Sequence, residues 1–523
     1  MVIDLAGVET QIETVRSQVC VVGAGIAGLV VARKLARLGV DVVVLEAGGL
    51  GLEAEGQRLF ETASLRGRPH MGTSEGRARL LGGTSLWWGG QVLGMSRGAA
   101  AAWPVAWDEI AKFTAEAERL IEVDALPFEA NDFFAAVGEG EPSMLRELGE
   151  VDARVSKWMK FSRRNLAGTL GRELIADSRV KVCLHAQVVE LVLSAAGERV
   201  EAVVVKNAAG RIFRFEAREF VLAAGTVETA RLLLASRSVV REGVGNLYGQ
   251  VGRNFHDHVT MSVAQFAGAA RARVLKELRP WVFGGDVHTA KLEASRELSE
   301  RLGMNPVLAH VTIDEPEGSG VAVLREVLTA SQRGDVRRVL GERGGKIPGA
   351  VVDAVRVAWE AKVRRRRFVS DDAVVKLQMN VAQDVPSLAR ISLSDEVDAV
   401  GVPRVVVDWC VSGKEEETLR KYSQYLKERF EAMGMVGVEW APEVLMEGVE
   451  LPGIEDARHA MGGACMGTDP RTSVVDSEMV VHGVGNLSIA GPGTFPTGGA
   501  QLPTLTMMAL ALRVADRVAG LVA

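Results

Sequence analysis

The chain has 523 residues, of which 47% are hydrophobic and 24% charged, and its formal net charge is −6 at pH 7. This length and composition predict an ordinary soluble globular protein of two or three domains and exclude a chain dominated by disorder. The acidic charge gives no reason to expect a nucleic-acid partner, and the lack of any run of about 18 apolar residues excludes a predicted transmembrane helix.

The number and spacing of the cysteines indicate the cellular compartment of the protein. The four cysteines, Cys20, Cys183, Cys410 and Cys465, are scattered and form no CxxC pair. This spacing favours reduced, buried thiols over disulfides or a metal site. The N-terminal stretch 1–18 lacks the basic and apolar regions of a secretory signal. We therefore expect a cytoplasmic protein.

A glycine-rich turn organises the N-terminal region of the chain. The apolar run 19–22 predicts a buried strand, and Gly23, Gly25 and Gly28 follow it in a GxGxxG pattern. In a dinucleotide site the first glycine permits a tight turn, the second lets a pyrophosphate approach the backbone, and the third allows close packing of helix on strand. The N–H groups and the dipole at the start of that helix attract phosphates.

The residues after this turn complete the pattern. The helix is predicted to run to about Leu38, and residues 41–45 form a second strand that leads to Glu46. A carboxylate about 20 residues beyond the glycines can accept a hydrogen bond from a ribose hydroxyl. Strand, turn, helix and acid together predict a dinucleotide site.

Three further segments precede the middle of the chain. Residues 79–91, RLLGGTSLWWGGQ, predict a glycine-rich loop that can press its backbone against a flat ligand, and residues 107–123 predict an amphipathic scaffold helix. The run EFVLAAG over 219–225, followed by a helix over 227–236, predicts a second strand-to-helix crossing near the dinucleotide.

The rest of the chain divides into two regions. Segment 260–455 combines mixed strands with a basic helical stretch over 334–368, and we interpret it as a separate substrate-facing domain. Its four arginines, Arg364–Arg367, suggest an anionic partner or a membrane surface, but for so short a run a solvated helix face or an oligomer contact is favoured. Residues 459–516 return as strand, glycine-rich turn and apolar helix, which predicts that the chain end rejoins the first sheet.

With these motifs in place, the chain resembles the glucose–methanol–choline (GMC) family of FAD-dependent oxidoreductases. Seven motifs in family order carry the resemblance: the glycine loop with Glu46, GGTSLWWGGQ, WPVAWDEI, VLAAGTVETARLLL, GRNFHDHV, SVVD with HGVGNL, and FPTGGAQLPTLTMMALA. Among branches, GGTSLWWGGQ, HAMGG and GPGTFPT are most similar to the sugar oxidases related to pyranose oxidase.

The resemblance implies an α/β fold. It places a discontinuous Rossmann-type FAD-binding domain beside an α+β substrate domain with a mostly antiparallel sheet. The FAD-binding domain is expected in three segments, 1–100, 180–259 and 456–523, the last of which carries the catalytic histidine. Between them we expect helical and substrate-domain elements over 101–179 and the substrate-binding domain over 260–455.

The resemblance also implies the cofactor contacts. Trp87 occupies the position at which several members carry a histidine bonded covalently to the flavin, and because an indole cannot form that link, the FAD is expected to be noncovalent. The implied contacts are Gly23, Gly25, Gly28 and Glu46 with the ADP half, Gly83, Thr84 and Trp88 near the flavin, Val188 at the adenine, Ala224 and Gly225 at the phosphates, and Gly491 and Thr504 at the ribityl chain or ring edge.

His459 matches the family's catalytic histidine. Alcohol oxidation by a flavin needs a base for the hydroxyl proton, and a neutral imidazole suits that work near pH 7. The less favoured alternative is a structural histidine that caps the glycine-rich loop. His256 and His258, spaced HxH, are interpreted as structural and not as a metal pair, because no third ligand is evident. No metal site is therefore predicted.

One position departs from the family pattern. Leu502 replaces the Asn or His that precedes the proline of the NPTLT-like motif, and a leucine cannot hydrogen-bond a substrate oxygen. Gln501 could serve only if the loop is locally re-registered, since adjacent extended residues face opposite ways. Three alternatives stay open: His459 works without the usual partner, Gln501 has taken the role, or the chain is an inefficient or repurposed member.

The expected function is oxidation of an alcohol group on a sugar, glycoside or sugar-bearing metabolite to a carbonyl, by proton abstraction at His459 and hydride transfer to flavin N5. The alternatives are a polyol, sterol-like or aromatic alcohol as substrate, or a flavin-binding protein with degraded catalysis. The expected partners are a small-molecule substrate and O2 or another electron acceptor, with no nucleic acid and no membrane. The sequence leaves a homo-oligomer open.

Overall fold

Two large β-sheets and a small third sheet form the framework of the protein. A computed structural model describes residues 1–8, 14–333, 336–343 and 347–523. The strands are β1 (Val2–Asp4), β2 (Val15–Val22), β3 (Val42–Leu45), β4 (Ser64–Gly67), β5 (Gln91–Val92), β6 (Val151–Trp158), β7 (Val180–Leu184), β8 (Gln187–Leu193), β9 (Val200–Lys206), β10 (Ile212–Leu222), β11 (His258–Phe266), β12 (Trp281–Phe283), β13 (Asp286–Ala294), β14 (Val307–Asp314), β15 (Val374–Ala382), β16 (Arg390–Val397), β17 (Pro403–Trp409), β18 (Val438–Trp440), β19 (Glu455–Asp456) and β20 (Leu487–Ile489). The α-helices are α1 (Ile26–Arg37), α2 (Ala54–Arg58), α3 (Met71–Ser74), α4 (Trp107–Leu120), α5 (Ala130–Val137), α6 (Ser143–Glu147), α7 (Leu170–Ala176), α8 (Thr226–Ala235), α9 (Gly268–Leu278), α10 (Arg296–Leu302), α11 (Gly320–Arg333), α12 (Val336–Arg343), α13 (Ile347–Trp359), α14 (Gly413–Ala432) and α15 (Pro503–Val522).

The first sheet has the order β1-β7-β3-β2-β10-β9-β8, and β20 also pairs with β10. The pairs from β1 to β10, and the pair of β10 with β20, are parallel, whereas β9 and β8 are antiparallel additions. Every residue of β3 and the last four of β2 are buried, as expected for a parallel sheet that is covered on both faces. The predicted Rossmann-type, discontinuous arrangement is confirmed.

The register of the parallel strands brings their carboxyl ends to one edge. Val22 pairs with Leu45 on one side and with Leu222 on the other, and Leu222 pairs with Ile489. Four segments that are far apart in the sequence therefore leave the sheet side by side. Ligands in open α/β sheets bind at this kind of edge.

The C-terminal helix α15 covers the first sheet. It packs against α1 and α4, and most of its side chains are buried. Burial on nearly all sides explains its long apolar run, since a helix in the middle of a core has no polar face. Within the described ranges, no helix is both long enough and apolar enough to cross a membrane.

The second sheet is antiparallel, as expected for the substrate domain. Its order is β18-β11-β15-β14-β13-β6-β5, with β12 beside β13 and β19 beside β11. Since β5 and β6 precede residue 180, this sheet draws on more of the chain than segment 260–455. A third sheet has the order β16-β17-β4. The division of the chain into five segments stays a prediction.

The arginine run lies just after α13. Gly334, the expected start of the basic helical stretch, lies outside the described residues. Arg364 donates to Glu360 at 3.0 Å and Arg365 to Glu139 at 3.4 Å. Both arginines thus pair with acids of the same chain, and the interpretation of the run as a solvated helix face or an oligomer contact stays a prediction.

The four cysteines are free thiols, and Cys20, Cys183 and Cys465 are buried. Burial raises the pKa of both Cys183 and Cys465 to about 12. These thiols are therefore protonated and poorly nucleophilic at neutral pH.

A substitution at Gly28 tests the packing of α1 on the sheet. A Cβ at this position would lie 1.9 Å from the carbonyl oxygen of Gly23. Gly28→Ala should therefore push α1 away from the glycine turn and lower the free energy of unfolding by about 1–3 kcal/mol, the usual cost of overpacking. Urea-induced unfolding of the purified variants measures the change.

The matched control is Gly520→Ala in α15, where a Cβ would meet nothing within 4 Å. Because alanine favours a helix, this control should equal or slightly exceed the stability of the wild type. A Gly28→Ala protein as stable as the wild type would contradict the packing described here.

Candidate active site

A cleft of about 710 Å³ lies where the parallel strands end. Its volume is in the range of cofactor and ligand pockets, roughly 300–1,000 Å³. Gly28 and Gln501 do not line it. The other predicted site residues do: Gly23, Gly25, Glu46, Gly83, Thr84, Trp88, Val188, Ala224, Gly225, His459, Gly491 and Thr504.

The glycine turn is held against the neighbouring strand. Gly23 has a φ of 98°, and a Cβ there would lie 2.6 Å from the carbonyl oxygen of Ala223. Only glycine fits a position with both this backbone conformation and this close approach. Gly28 lets α1 pack on the turn, so its role is in packing and it does not touch the cleft.

Two helices begin at the cleft with free N–H groups. Gly25 is the N-cap of α1 and Gly225 is the N-cap of α8, and neither cap provides a side-chain hydrogen bond. A Cβ on either glycine would meet nothing within 4 Å, so the space in front of both helix starts is open. Paired helix N-termini at an open cleft fit the pyrophosphate of a dinucleotide such as FAD.

Glu46 binds the backbone of the glycine turn. Its side chain is buried, and its carboxylate accepts hydrogen bonds from the backbone N–H groups of Ala24 and Gly48, both at 2.9 Å. Burial raises the pKa of Glu46, while those N–H groups and Arg79 oppose the rise. Each carboxylate oxygen has a second lone pair. Glu46 can therefore order the glycine turn and still accept a ribose hydroxyl.

The loop with Gly83, Thr84 and Trp88 forms another wall. A Cβ on Gly83 would lie 2.8 Å from the Cα of Gly25, so this loop presses against the glycine turn. The indole N–H of Trp88 donates to the carbonyl oxygen of Arg164 at 2.7 Å and fixes the ring. The arrangement places loop backbone and an ordered aromatic ring at the cleft wall, and the contact of these residues with the flavin stays a prediction.

His459 lies in the cleft lining, and His258 at the start of β11 holds its ring. The two rings meet edge to face, with centroids 5.1 Å apart. Their Nδ1 atoms are 2.9 Å apart, and Nε2 of His258 lies 2.8 Å from the carbonyl oxygen of Gly499. A hydrogen-bond chain therefore runs from the Gly499 carbonyl through His258 to His459.

This chain determines where the protons lie. A carbonyl oxygen only accepts, so His258 carries its proton on Nε2, and in the neutral ring its Nδ1 is an acceptor. Nδ1 of His459 must then donate the proton between the rings. Neutral His459 is left with its lone pair on Nε2, to which no residue in the described part of the chain donates.

Both rings are neutral at physiological pH. Burial, helped by the charges of His258 and Lys291 and opposed by Asp257, lowers the pKa of His459 to about 3. Burial also lowers the pKa of His258. Since the neutral imidazole is the form that accepts a proton, His459 is ready to act as a base over the whole physiological range.

Gln501 faces away from the cleft. Its amide nitrogen donates to Glu293 and, at 3.2 Å, to the hydroxyl of Ser96. Leu502 lines the cleft instead. Adjacent extended residues thus face opposite ways, as expected. The loop is not re-registered, and the structure does not bring Gln501 together with His459.

The sequence pattern did not reveal the role of His258. His256 and His258 were expected to be structural, and His256 Nδ1 does lie 2.8 Å from the carbonyl oxygen of Asn254. His258, however, contacts His459 across 201 positions of sequence. No local spacing rule connects residues so far apart, and only the antiparallel sheet brings them together.

In the ranges that the structure describes, His70, Asp257 and Asp456 place possible metal-ligand atoms within 4.8 Å of one another. Both oxygens of Asp456 already accept backbone N–H groups of α3. His70 Nδ1 accepts the N–H of Thr73 at 3.0 Å, so its proton lies on Nε2, 3.2 Å from Asp257. Backbone hydrogen bonds of α3 therefore engage both Asp456 and His70, beside the strand start that carries His258.

Comparisons with known proteins identify the family. Models of the family described as GMC oxidoreductase match residues 159–260 and 386–511. A model of an NAD(P)-binding Rossmann-like domain matches residues 21–70, which include the glycine turn. The matched segments thus include both histidines of the hydrogen-bond chain.

Similar proteins extend this finding. The fructose dehydrogenase large subunit of Gluconobacter japonicus is 27% identical over 58% of this chain, and the match spans about half of that relative, 48% of its length. The 6'''-hydroxyparomomycin C oxidase of Streptomyces lividus is 24% identical over 96% of this chain and 91% of its own length. The solved structure of pyridoxine 4-oxidase from Mesorbium loti shares the fold, with a TM-score of 0.59 at 16% identity over 96% of this chain and 99% of that one. The chain belongs to the GMC oxidoreductase family.

Proposed function

We propose that this protein oxidises an alcohol group on a sugar, glycoside or sugar-bearing metabolite to a carbonyl, with FAD held in the cleft. The observation that carries the proposal is the position of His459 in the cleft lining, with its Nδ1 engaged by His258, which leaves Nε2 to accept a proton. The printed names of two relatives, a fructose dehydrogenase and a 6'''-hydroxyparomomycin C oxidase, support a sugar-based substrate.

The residues of this chain would hold FAD along the length of the cleft. The starts of α1 and α8 would bind the phosphates, Glu46 the ribose, and Val188 the adenine. The loop with Gly83, Thr84 and Trp88 would lie beside the flavin. When bound, FAD supplies the flavin ring that accepts a hydride from the alcohol carbon.

The proton follows a separate path. The substrate hydroxyl donates a hydrogen bond to Nε2 of His459, and that proton moves to Nε2 as the carbonyl forms. The resulting imidazolium still donates through Nδ1 to the lone pair of His258. The carboxylate of Asp257 favours this charge, because it opposes the lowering of the His459 pKa. The geometry of His459 therefore stays fixed in both protonation states.

We infer that His459 acts without the polar partner usual in the family. Leu502 gives the site an apolar wall and packs against the small cluster of Leu93, Leu308 and Ala500. Gln501 is held by Glu293 outside the cleft, which supports the first of the three alternatives.

The flavin reduction rate tests the role of His459. A panel of sugars and glycosides is mixed anaerobically with the enzyme, and bleaching of the flavin is followed by stopped flow. His459→Ala should keep the flavin spectrum but slow reduction by about two to four decades, the contribution of a positioned base. Gln501→Ala is the matched control and should reduce its flavin in the same decade as the wild type.

Leu502→Asn, which restores a polar group, should raise the rate of flavin reduction if His459 works alone. A His459→Ala variant that reduces its flavin at the wild-type rate would refute the mechanism. Bleaching by polyols or aromatic alcohols but by no sugar would refute the substrate class.

The side chain of Trp87 predicts how the cofactor is attached to the protein. Because an indole replaces the attachment residue and lines the cleft, the FAD should be bound tightly but noncovalently. Precipitation of the holoenzyme with acid should leave the yellow flavin in the supernatant, quantified by absorbance. Flavin that stays with the pellet would contradict this prediction.

A further inference from the structure

Helices α11, α12 and α13 form an excursion from the substrate-domain sheet. Asp314 at the end of β14 pairs with Val374 at the start of β15, so the chain leaves the sheet and returns to it at one point. A short turn is enough to join two antiparallel strands, yet this connection spans residues 315–373. The pairing of the strands does not require these helices, and their exposed surface is therefore free to serve another role.

The outer face of α13 and of the turn that follows it is apolar. Val351, Val352, Val355, Trp359 and Val363 are between 49% and 65% exposed. Residues four apart lie on one side of a helix, so Val351, Val355 and Trp359 form a continuous stripe. Helix α13 itself packs against α11, and this stripe stays open to solvent. A helix on a protein surface normally turns its apolar stripe towards the core, and an exposed stripe of this kind marks a contact with an apolar partner.

Basic residues accompany the exposed stripe. Residues 351–367 contain six arginines or lysines and two acidic residues, in a chain whose net charge is −6. Arg364 pairs with Glu360 at 3.0 Å, and its guanidinium also lies over the ring of Trp359, 4.9 Å from the centroid. Positive charge is thus held directly beside the exposed apolar side chains. Segment 351–367 is therefore a basic and apolar surface on an acidic protein.

A cavity of about 640 Å³ lies between this segment and the hairpin of β12 and β13. Lys362 and Arg365 line it on one side, and Phe283 lines it on the other. Asp124 also lines the cavity, but its carboxylate is already engaged by His288 at 2.7 Å. Two cations beside an apolar ring suit the headgroup and the first methylene groups of an anionic lipid.

Two kinds of partner fit an exposed apolar surface of this size. A second copy of the chain would bring two surfaces of the same positive charge together, and like charges repel. An anionic membrane complements both properties, because valine and tryptophan side chains enter the boundary between headgroups and acyl chains while arginines attract the lipid phosphates. A helix with one apolar face and basic neighbours is typical of that location.

We propose that segment 351–367 docks the protein on the surface of an anionic membrane. The apolar stripe lies in the headgroup region, and the basic residues contact the lipid phosphates. This inference does not depend on the chemistry of the cleft. The sequence pattern favoured a solvated face or an oligomer contact for Arg364–Arg367, because the arginine run alone does not show that the valines before it face outward.

Co-sedimentation of the holoenzyme with large unilamellar vesicles tests this surface. Vesicles of equimolar phosphatidylglycerol and phosphatidylcholine should bind the wild type at least about tenfold more tightly than vesicles of phosphatidylcholine alone, since each basic residue near an anionic surface strengthens binding. Raising the salt concentration should weaken this binding, because salt screens exposed charges.

A double variant tests the apolar stripe. Val355→Ser combined with Trp359→Ser should lower the affinity for the anionic vesicles at least about tenfold, because two apolar side chains no longer enter the membrane boundary. Serine has about the same helix propensity as valine and tryptophan, so α13 should stay folded. The matched control is Val436→Ser, whose valine is 75% exposed just before β18, and it should bind like the wild type.

A single variant tests the charge. Arg364→Gln should lower the affinity for the anionic vesicles about fivefold, the effect of one basic residue near the surface, and should leave the affinity for neutral vesicles unchanged. The matched control is Arg296→Gln on α10, whose arginine makes the same kind of ion pair four residues along a helix, with Glu300 at 2.7 Å. This control should bind both kinds of vesicle like the wild type.

The thermal midpoint and the sedimentation velocity of each variant separate loss of the surface from loss of the fold. Both should match those of the wild type, because the changed side chains are exposed and the proposed partner is not a second copy. The inference is overturned if the wild type binds no anionic vesicle, if it binds neutral vesicles equally well, or if the double variant binds like the wild type. An oligomer of the wild type that the double variant dissociates would also overturn it and would assign the surface to a second copy.

Discussion

The parallel pairing of β2, β10 and β20 is the constraint on which the rest of the structure depends. These strands come from opposite ends and the middle of the chain, and their register aligns Val22, Leu222 and Ile489 in one row. The turns that follow must then share a small space, where a Cβ on Gly23 would approach the carbonyl of Ala223 to 2.6 Å. The space in front of the two helix starts at Gly25 and Gly225 is open, and the cleft lies there.

The chemistry comes from the contact between this edge and the antiparallel sheet. His258 begins a strand of that sheet, whereas His459 and Gly499 belong to segments that lead back to the first sheet. Their hydrogen-bond chain therefore connects the two halves of the site and sets the proton of His459 on Nδ1.

Local patterns predicted the glycine turn and Glu46, because these residues are neighbours in sequence, whereas the other cofactor contacts were implied by the resemblance to the GMC family. The packing role of Gly28 and the link between Glu46 and the glycine turn follow from one strand–turn–helix unit. The contact of His258 with His459 joins residues 201 positions apart, which spacing cannot reveal. The side chain of Gln501 points towards Glu293, a carboxylate on a distant strand. The sequence alone could therefore not predict the direction of the Gln501 side chain.

The proton positions on His459 test the central claim most directly. They can be measured by ¹⁵N NMR of the holoenzyme labelled at histidine, with the His459 signal assigned by comparison with the His459→Ala variant. The account predicts a neutral ring from about pH 5 to pH 8, with the proton on Nδ1 and the lone pair on Nε2. A His459 ring that gains a second proton within this range, or that carries its proton on Nε2, would contradict the account.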